Sequence, residues 1–225
     1  MSELRAGPRA RVFLVDDHPL VRESLARLIN QQSDMEVCGE AEEVGQALRD
    51  IAASGPDAAI VDISLHGSSG LELIKTLKRT TPGCATIVLS MHDERIYAER
   101  AIRAGARGYV MKRESTKHIV NAIREVLQGR LCVSEEMAGA LAERLDGDRK
   151  PISASPVEAL SDRELEVFTL IGAGRETRQI AGELNVSMKT VQAYCARIKE
   201  KLQIESATEL LREAVRWQER NAKNP

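Results

Sequence analysis

The 225-residue sequence predicts an α/β fold, a doubly wound five-stranded parallel sheet, followed by a small all-α domain. Three observations carry that expectation. Short β-branched apolar runs alternate with amphipathic stretches over the first 120 or so residues. A Gly-, Pro- and Ser-containing segment, GDRKPISASP, then interrupts the pattern, as a linker does. Beyond it the text has helical periodicity and no β-rich run.

The runs Val12–Val15, Glu36–Glu40, Ala58–Asp62, Thr86–Ser90 and Gly108–Met111 read as buried strands. Between them, Leu20, Leu25, Leu28 and Ile29 recur at helical spacing, as do Leu71, Ile74 and Leu77, and Ile119, Ala122, Ile123 and Val126. Pro19 suits the first turn of its helix, where a missing amide proton costs nothing. Five strands alternating with five helices make a doubly wound parallel sheet over residues 10–129. Residues 130–156 form a linker with one helix, Ser134–Leu145. Residues 157–218 form the second domain. There Ser161 and Glu164 make a capping box that opens a helix to about Gly172. A short helix spans roughly Thr177–Leu184, and Asn185–Val186–Ser187 turns the chain into a longer one from Met188 to about Leu202. Ser206 and Glu209 form a second capping box, opening a last helix through Trp217. Helix, short turn, basic helix is the layout of a helix-turn-helix.

Composition narrows the function classes. No run of 18 apolar residues exists, so no membrane span is expected. The start, MSELRAGPRA, lacks the apolar stretch of a secretion signal. Cys38, Cys84, Cys132 and Cys195 are never closer than 46 positions, which offers no zinc pattern and no dense disulfide framework and suits the cytoplasm. The 32 basic and 34 acidic residues leave a net charge of −2, which taken alone argues against nucleic acid as a partner. The average hides local charge, however. Met188–Lys201 holds Lys189, Arg197, Lys199 and Lys201 against Glu200.

Asp16 and Asp17 close the first strand and Asp62 the third. In a parallel sheet these ends share one crevice, where such folds bind ligands. Gathered acids repel one another, so a hard divalent cation is their natural partner, and magnesium favours few carboxylates plus phosphate oxygens. Ser90 ends the fourth strand and Lys112 follows the fifth. A carboxylate nucleophile, a metal, a hydroxyl and an ammonium are the parts of a phosphoryl-transfer site.

The segments VDDHPLVRESL, DAAIVDISLHGSSGLELI, IVLSMHDE and RAGARGYVMKRE resemble the receiver domain of two-component response regulators, over about Arg11 to Gly129. That resemblance implies a flavodoxin-like receiver fold with Asp62 as phosphoacceptor. It implies Mg2+ held by Asp16, Asp17, Asp62 and the backbone carbonyl of Ser64. Ser90 and Tyr109 become a switch pair and Lys112 the phosphate-binding lysine. The loop Ser64–Leu65–His66–Gly67 departs from the Met-Pro pair of many receivers, and Arg113 follows Lys112 where other receivers have proline. His66 and His92, beside the site, read as exposed loop histidines. The resemblance also implies a sensor histidine kinase as partner, docking near Pro19, Leu20 and Leu25.

The stretch LSDRELEVFTLIGAGRETRQIAGELNVSMKTVQAYCARIKEKL resembles the LuxR-type helix-turn-helix, over about Ala159–Arg216, and the whole chain resembles the NarL/FixJ class. Double-stranded DNA is then the second partner, with homodimers forming on phosphorylation or on DNA. Candidate DNA contacts are Lys189, Thr190, Gln192, Ala193, Ala196, Arg197, Lys199 and Lys201: cations for phosphates, Gln192 for adenine edges, alanines for thymine methyls. Gln192 and Tyr194 replace the family's usual lysine and histidine. Val191, Ile198, Leu202 and Ile180 read as core, Cys195 as a half-buried residue, and Tyr194 as packing or a phosphate contact. Trp217 and Leu211 face either a partner subunit or their own core. The expected function is a transcriptional regulator rather than an enzyme. Two alternatives stand beside it: a phospho-switched protein-binding module, and an aspartyl-phosphate hydrolase, against which Ser64 counts because it stands where such enzymes place a second Asp.

Overall fold

The computed structural model describes residues 8–65, 68–114, 116–145 and 156–222. They divide into two compact units between Ala142 and Glu143. His66 and all of GDRKPISASP except Pro156 lie outside the described residues.

In the first unit, β1 (Ala10–Val15), α1 (Pro19–Asn30), β2 (Met35–Ala41), α2 (Val44–Ser54) and β3 (Ala58–Val61) come first. A short antiparallel pair, β4 (Ser64–Leu65) and β5 (Ser68–Ser69), precedes α3 (Gly70–Thr80). Then follow β6 (Ala85–Ser90), α4 (Glu94–Ala104), β7 (Gly108–Met111), α5 (Thr116–Leu127) and α6 (Glu135–Leu145), whose last turn passes the division between the units. The sheet runs β2-β1-β3-β6-β7 with every pairing parallel, the doubly wound architecture expected. The strand order reverses beside β1 and β3, which opens a crevice at their C-terminal ends. Burial on both faces explains why the strands read as continuous apolar runs. Val12, Leu14, Ile60, Ile87, Leu89 and Val110 form one core with Leu25 and Ile29 of α1 and Ile119, Ile123 and Val126 of α5. The alternating Phe13, Val15, Ala59 and Val61 are buried as well.

Helix α1 departs from its expected face. Leu20 is 77% exposed, whereas Arg22 is buried. Positions two apart lie about 200° apart around a helix, so the two cannot both point inward. The Arg22 guanidinium wins because it donates to the Asp16 carbonyl and sits between Glu40 and Glu42.

The second unit consists of a 3-10 turn (Pro156–Ala159), α7 (Asp162–Gly172), α8 (Thr177–Glu183), α9 (Met188–Leu202) and α10 (Ala207–Ala222). The Ser161–Glu164 capping box forms in both directions. At α10 only half of the expected box forms. Ser206 Oγ accepts from the Glu209 N–H at 3.1 Å, but the Glu209 carboxylate takes the Glu205 N–H instead. This helix also runs five residues past Trp217, since no Gly or Pro interrupts it and Arg220 reaches back to Glu213 at 2.7 Å. Val191 and Ile198 are fully buried, Ile180 nearly so, and Leu202 half-buried. Trp217 packs edge-on against Phe168 at 5.8 Å, inside its own domain, while Leu211 is 44% exposed.

Helix α9 ends on Gln203 at φ 56°, a left-handed conformation that glycine adopts without steric penalty. Gln203→Gly should therefore stabilise the second unit by about 0.5–1 kcal/mol, relief of strain exceeding the added chain entropy. Thermal unfolding checks this, and a lower midpoint for the variant refutes it.

Candidate functional site

The ladder between β1 and β3 continues one step beyond the strands. The Asp62 N–H donates to the Val15 carbonyl at 2.8 Å, and the Lys112 N–H donates to the Ser90 carbonyl at 2.8 Å. These bonds set both side chains at the crevice. Asp16 and Asp62 are 2% and 4% exposed. Between them, Lys112 Nζ stands 2.7 Å from Asp16 Oδ2 and 2.7 Å from Asp62 Oδ2. Asp17 Oδ1 is 2.6 Å from His18 Nδ1. One ligand atom each from Asp16, Asp17, His18 and Asp62 lies within 4.8 Å of the others.

Burial pushes the Asp62 carboxyl up to about 6, against the pull of the Lys112 ammonium and with a further push from Asp16. Burial also opposes the charge on Lys112, yet the Asp62 and Asp16 carboxylates hold its pKa above the ordinary value. A buried carboxylate raised in this way gains from more positive charge nearby. A set of oxygen donors suits a hard cation. The acidic pocket therefore fits a divalent ion by its chemistry.

Ser64 donates its N–H to Asp62 Oδ1 at 3.3 Å, and its hydroxyl meets His92 Nε2 at 3.0 Å. Ser90, fully buried, accepts the His92 N–H at Oγ, 3.1 Å away. The Tyr109 hydroxyl donates to the His92 carbonyl at 3.0 Å, and burial raises its pKa. The expected switch pair thus converges on one residue, His92, whose ring stacks on Tyr97 at 4.6 Å. His92 is half-buried and bonded, a correction to its reading as an exposed loop histidine.

In the second unit, Lys189, Gln192, Ala193, Ala196 and Arg197 are exposed on one face of α9, opposite the buried Val191 and Ile198. Lys199 is half-buried. The Thr190 hydroxyl lies 2.8 Å from the Ser187 hydroxyl, which also caps the helix by accepting the Thr190 N–H. Lys201 needs correction as a phosphate contact. Its ammonium lies 2.6 Å from Glu164 Oε2 and 3.2 Å from the Ala159 carbonyl, tying α9 to the start of α7. Burial opposes the Glu164 charge, but the bonds from Lys201 and Ser161 hold its pKa below the ordinary value. Arg175 is similarly engaged, 3.0 Å from Glu183. Tyr194 and Cys195 are half-buried, and burial raises the Cys195 thiol.

Sequence reasoning missed three supports of the site. His18 joins the acids, and its adjacency to Asp17 was the available signal. Arg22 props the Asp16 carbonyl, as described above. At Gly70 a Cβ would stand 1.9 Å from the Asp62 carbonyl oxygen, so α3 can begin there only with glycine.

The family described as "Response regulator receiver domain" matches residues 12–124, and "Bacterial regulatory proteins, luxR family" matches residues 158–214. Response regulator UvrY of Escherichia coli is 33% identical over 206 residues, 91% of this chain and 93% of that protein. Transcriptional regulatory protein DesR of Bacillus subtilis is 34% identical over 200 residues, 89% of this chain and 94% of that protein. RcsB from Salmonella enterica serovar Typhimurium, solved bound to promoter rprA in the presence of phosphomimetic BeF3-, matches with a TM-score of 0.58 at 25% identity, covering 91% of this chain and 98% of that one. No helix among the described residues is long and apolar enough to cross a membrane. With a buried acidic crevice in one unit and a helix-turn-helix in the other, the chain belongs to the NarL/FixJ class of two-component response regulators, DNA-binding transcriptional regulators with a receiver domain and a LuxR-type output domain.

Proposed function

We propose that a sensor histidine kinase phosphorylates Asp62 and that the phosphoryl group switches DNA binding by α9. The observation that carries this reading is the Lys112 ammonium set 2.7 Å from both Asp16 and Asp62 in a buried crevice. The Asp62 carboxylate attacks phosphorus in line, the bond to the donor breaks, and Lys112 takes up charge on the phosphoryl oxygens. Asp16, Asp17, Asp62 and the Ser64 backbone carbonyl would hold Mg2+, which supplies further charge neutralisation when bound.

Phosphorylation turns one negative charge into about two and adds acceptor oxygens. Ser90 then turns away from the His92 N–H and donates its hydroxyl to a phosphoryl oxygen, and Tyr109 follows into the vacated space. Two copies pair on DNA, bringing two α9 helices to paired half-sites. Lys189, Arg197 and Lys199 meet phosphates, Gln192, Ala193 and Ala196 the base edges, and Thr190 the helix entry. The protein acts in the cytoplasm, where its DNA is.

Acetyl phosphate with magnesium tests the assignment. The wild type should incorporate phosphate and protect paired sites in a salt-sensitive footprint. Asp62→Asn should incorporate none and lose the phosphate-dependent protection. Incorporation by the Asn variant at the wild-type level sinks the assignment.

A further inference from the structure

We infer that Glu94 is the positioning residue through which the phosphorylation site sets the start of α6, the helix leading along the chain toward the DNA-binding domain. The inference rests on the Asp62 reading above. Glu94 opens α4 two residues after His92 and is 7% exposed. Its Oε1 accepts the backbone N–H of Ser134 at 2.9 Å. Ser134 is the residue immediately before α6. Its Oγ accepts the Met137 N–H at 3.2 Å, and its carbonyl accepts the Ala138 N–H at 2.9 Å. Met137 is itself buried. The first turn of α6 is thus held by a carboxylate belonging to α4.

A second tie leads to the same place. The Tyr109 N–H donates to the Cys132 carbonyl, and the Cys132 N–H donates to the Arg107 carbonyl, both at 2.9 Å. The stretch just before α6 therefore lies along β7 as an extra bridge, Gly108 to Cys132. At its other end the Tyr109 hydroxyl donates to the His92 carbonyl. Two residues that change partners when Ser90 turns, His92 and Tyr109, are each one short step from the α6 entry. Glu94 supplies the step from the His92 side.

A charge-assisted bond from a buried carboxylate to a backbone N–H is among the stronger single hydrogen bonds. Its loss frees the first turn of α6 without removing any group of the Asp62 crevice. The switch and α6 then become independent, which is the outcome that separates positioning from general support.

Hydrogen exchange on the full chain, with and without BeF3- and magnesium, tests this alongside phosphate incorporation from acetyl phosphate and DNA affinity. In the wild type, BeF3- should change exchange at Ser134–Met137. Glu94→Ala should speed exchange there by about 10- to 150-fold in both states. Its phosphate incorporation should stay within about twofold of wild type, while the wild-type gain in DNA affinity on BeF3- addition, about 5-fold or more, collapses. Ser134→Pro removes the same bond from the donor side, outside the core and together with the Oγ cap on Met137, and should reproduce the uncoupling. An unchanged DNA response in both variants overturns the inference, as does wild-type exchange at Ser134–Met137 that ignores BeF3-. Absence of phosphate incorporation in the wild type overturns instead the reading on which it rests.

Discussion

In metal-free buffer at pH 7, Asp62→Asn stabilises the receiver by about 3 kcal/mol, and the gain fades as the pH falls toward 4. The carboxyl has an ordinary value of 3.8 and is pushed up to about 6, chiefly by burial. A carboxyl raised in the folded state holds its proton there after the unfolded chain has released it. Between the two values the native state binds more protons, so stability falls as the pH rises through that window. At about 1.36 kcal/mol for each unit, the gap yields the figure above. Asparagine keeps the shape and never ionises, while Lys112 retains its 2.7 Å contact with Asp16. Magnesium should reverse the order. A cation held by the ionised site would stabilise the wild type by mass action, whereas the variant would lack one ligand. Denaturant midpoints at pH 4 and pH 7, in chelator and in magnesium, measure both effects. Equal midpoints at pH 7 in chelator would show that Lys112 already compensates the buried charge in full.

That buried charge was legible in the sequence, and the reason is geometric. Strand runs can be recognised from their apolar text, and a parallel sheet brings the residues just past them to one edge. Asp16, Asp62, Ser90 and Lys112 needed no further information. Their surroundings did. The His92 carbonyl that receives Tyr109 is a main-chain group, and any residue type would carry one. Lys201 shows the opposite failure. A lysine has the same letter whether it meets a phosphate or, as here, a glutamate 37 positions away on another helix. Local periodicity sees a basic face, and only packing tells which cations remain available to DNA. The amphipathic pattern of α1 misled in the same way, because a buried guanidinium with three oxygen partners displaced an expected leucine.

Gly70→Ala should destabilise the receiver by about 3 kcal/mol and slow phosphate incorporation about a hundredfold, although propensity alone predicts a gain. Alanine is worth about 1 kcal/mol over glycine inside a helix. Gly70 sits at the first position of α3, behind the Ser69 cap, where even that gain is reduced. Against it stands a contact with no room to relax. The new Cβ would lie 1.9 Å from the Asp62 carbonyl oxygen, 2.8 Å from its carbon and 3.1 Å from Ile63 Cα. All three are backbone atoms, so no side chain can rotate away. The Asp62 backbone is held from the other side by its N–H bond to Val15, and the Gly70 N–H itself donates to the Ile63 carbonyl at 2.8 Å. Either α3 retreats and loses packing at the buried Leu71, Leu73 and Ile74, or the Asp62 loop shifts. Overpacking of this kind costs about 1–3 kcal/mol where a core can adjust, and a rigid backbone contact belongs at the upper end or beyond. A shift of about 1 Å at Asp62 would also misplace its carboxylate relative to Lys112, and misplacement of that size costs about a hundredfold in rate. The two readouts need not fall together. A variant that unfolds early but incorporates phosphate at the wild-type rate means that α3 moved; one that keeps its stability yet reacts slowly means that the loop did. A variant unchanged in both would falsify the close approach itself.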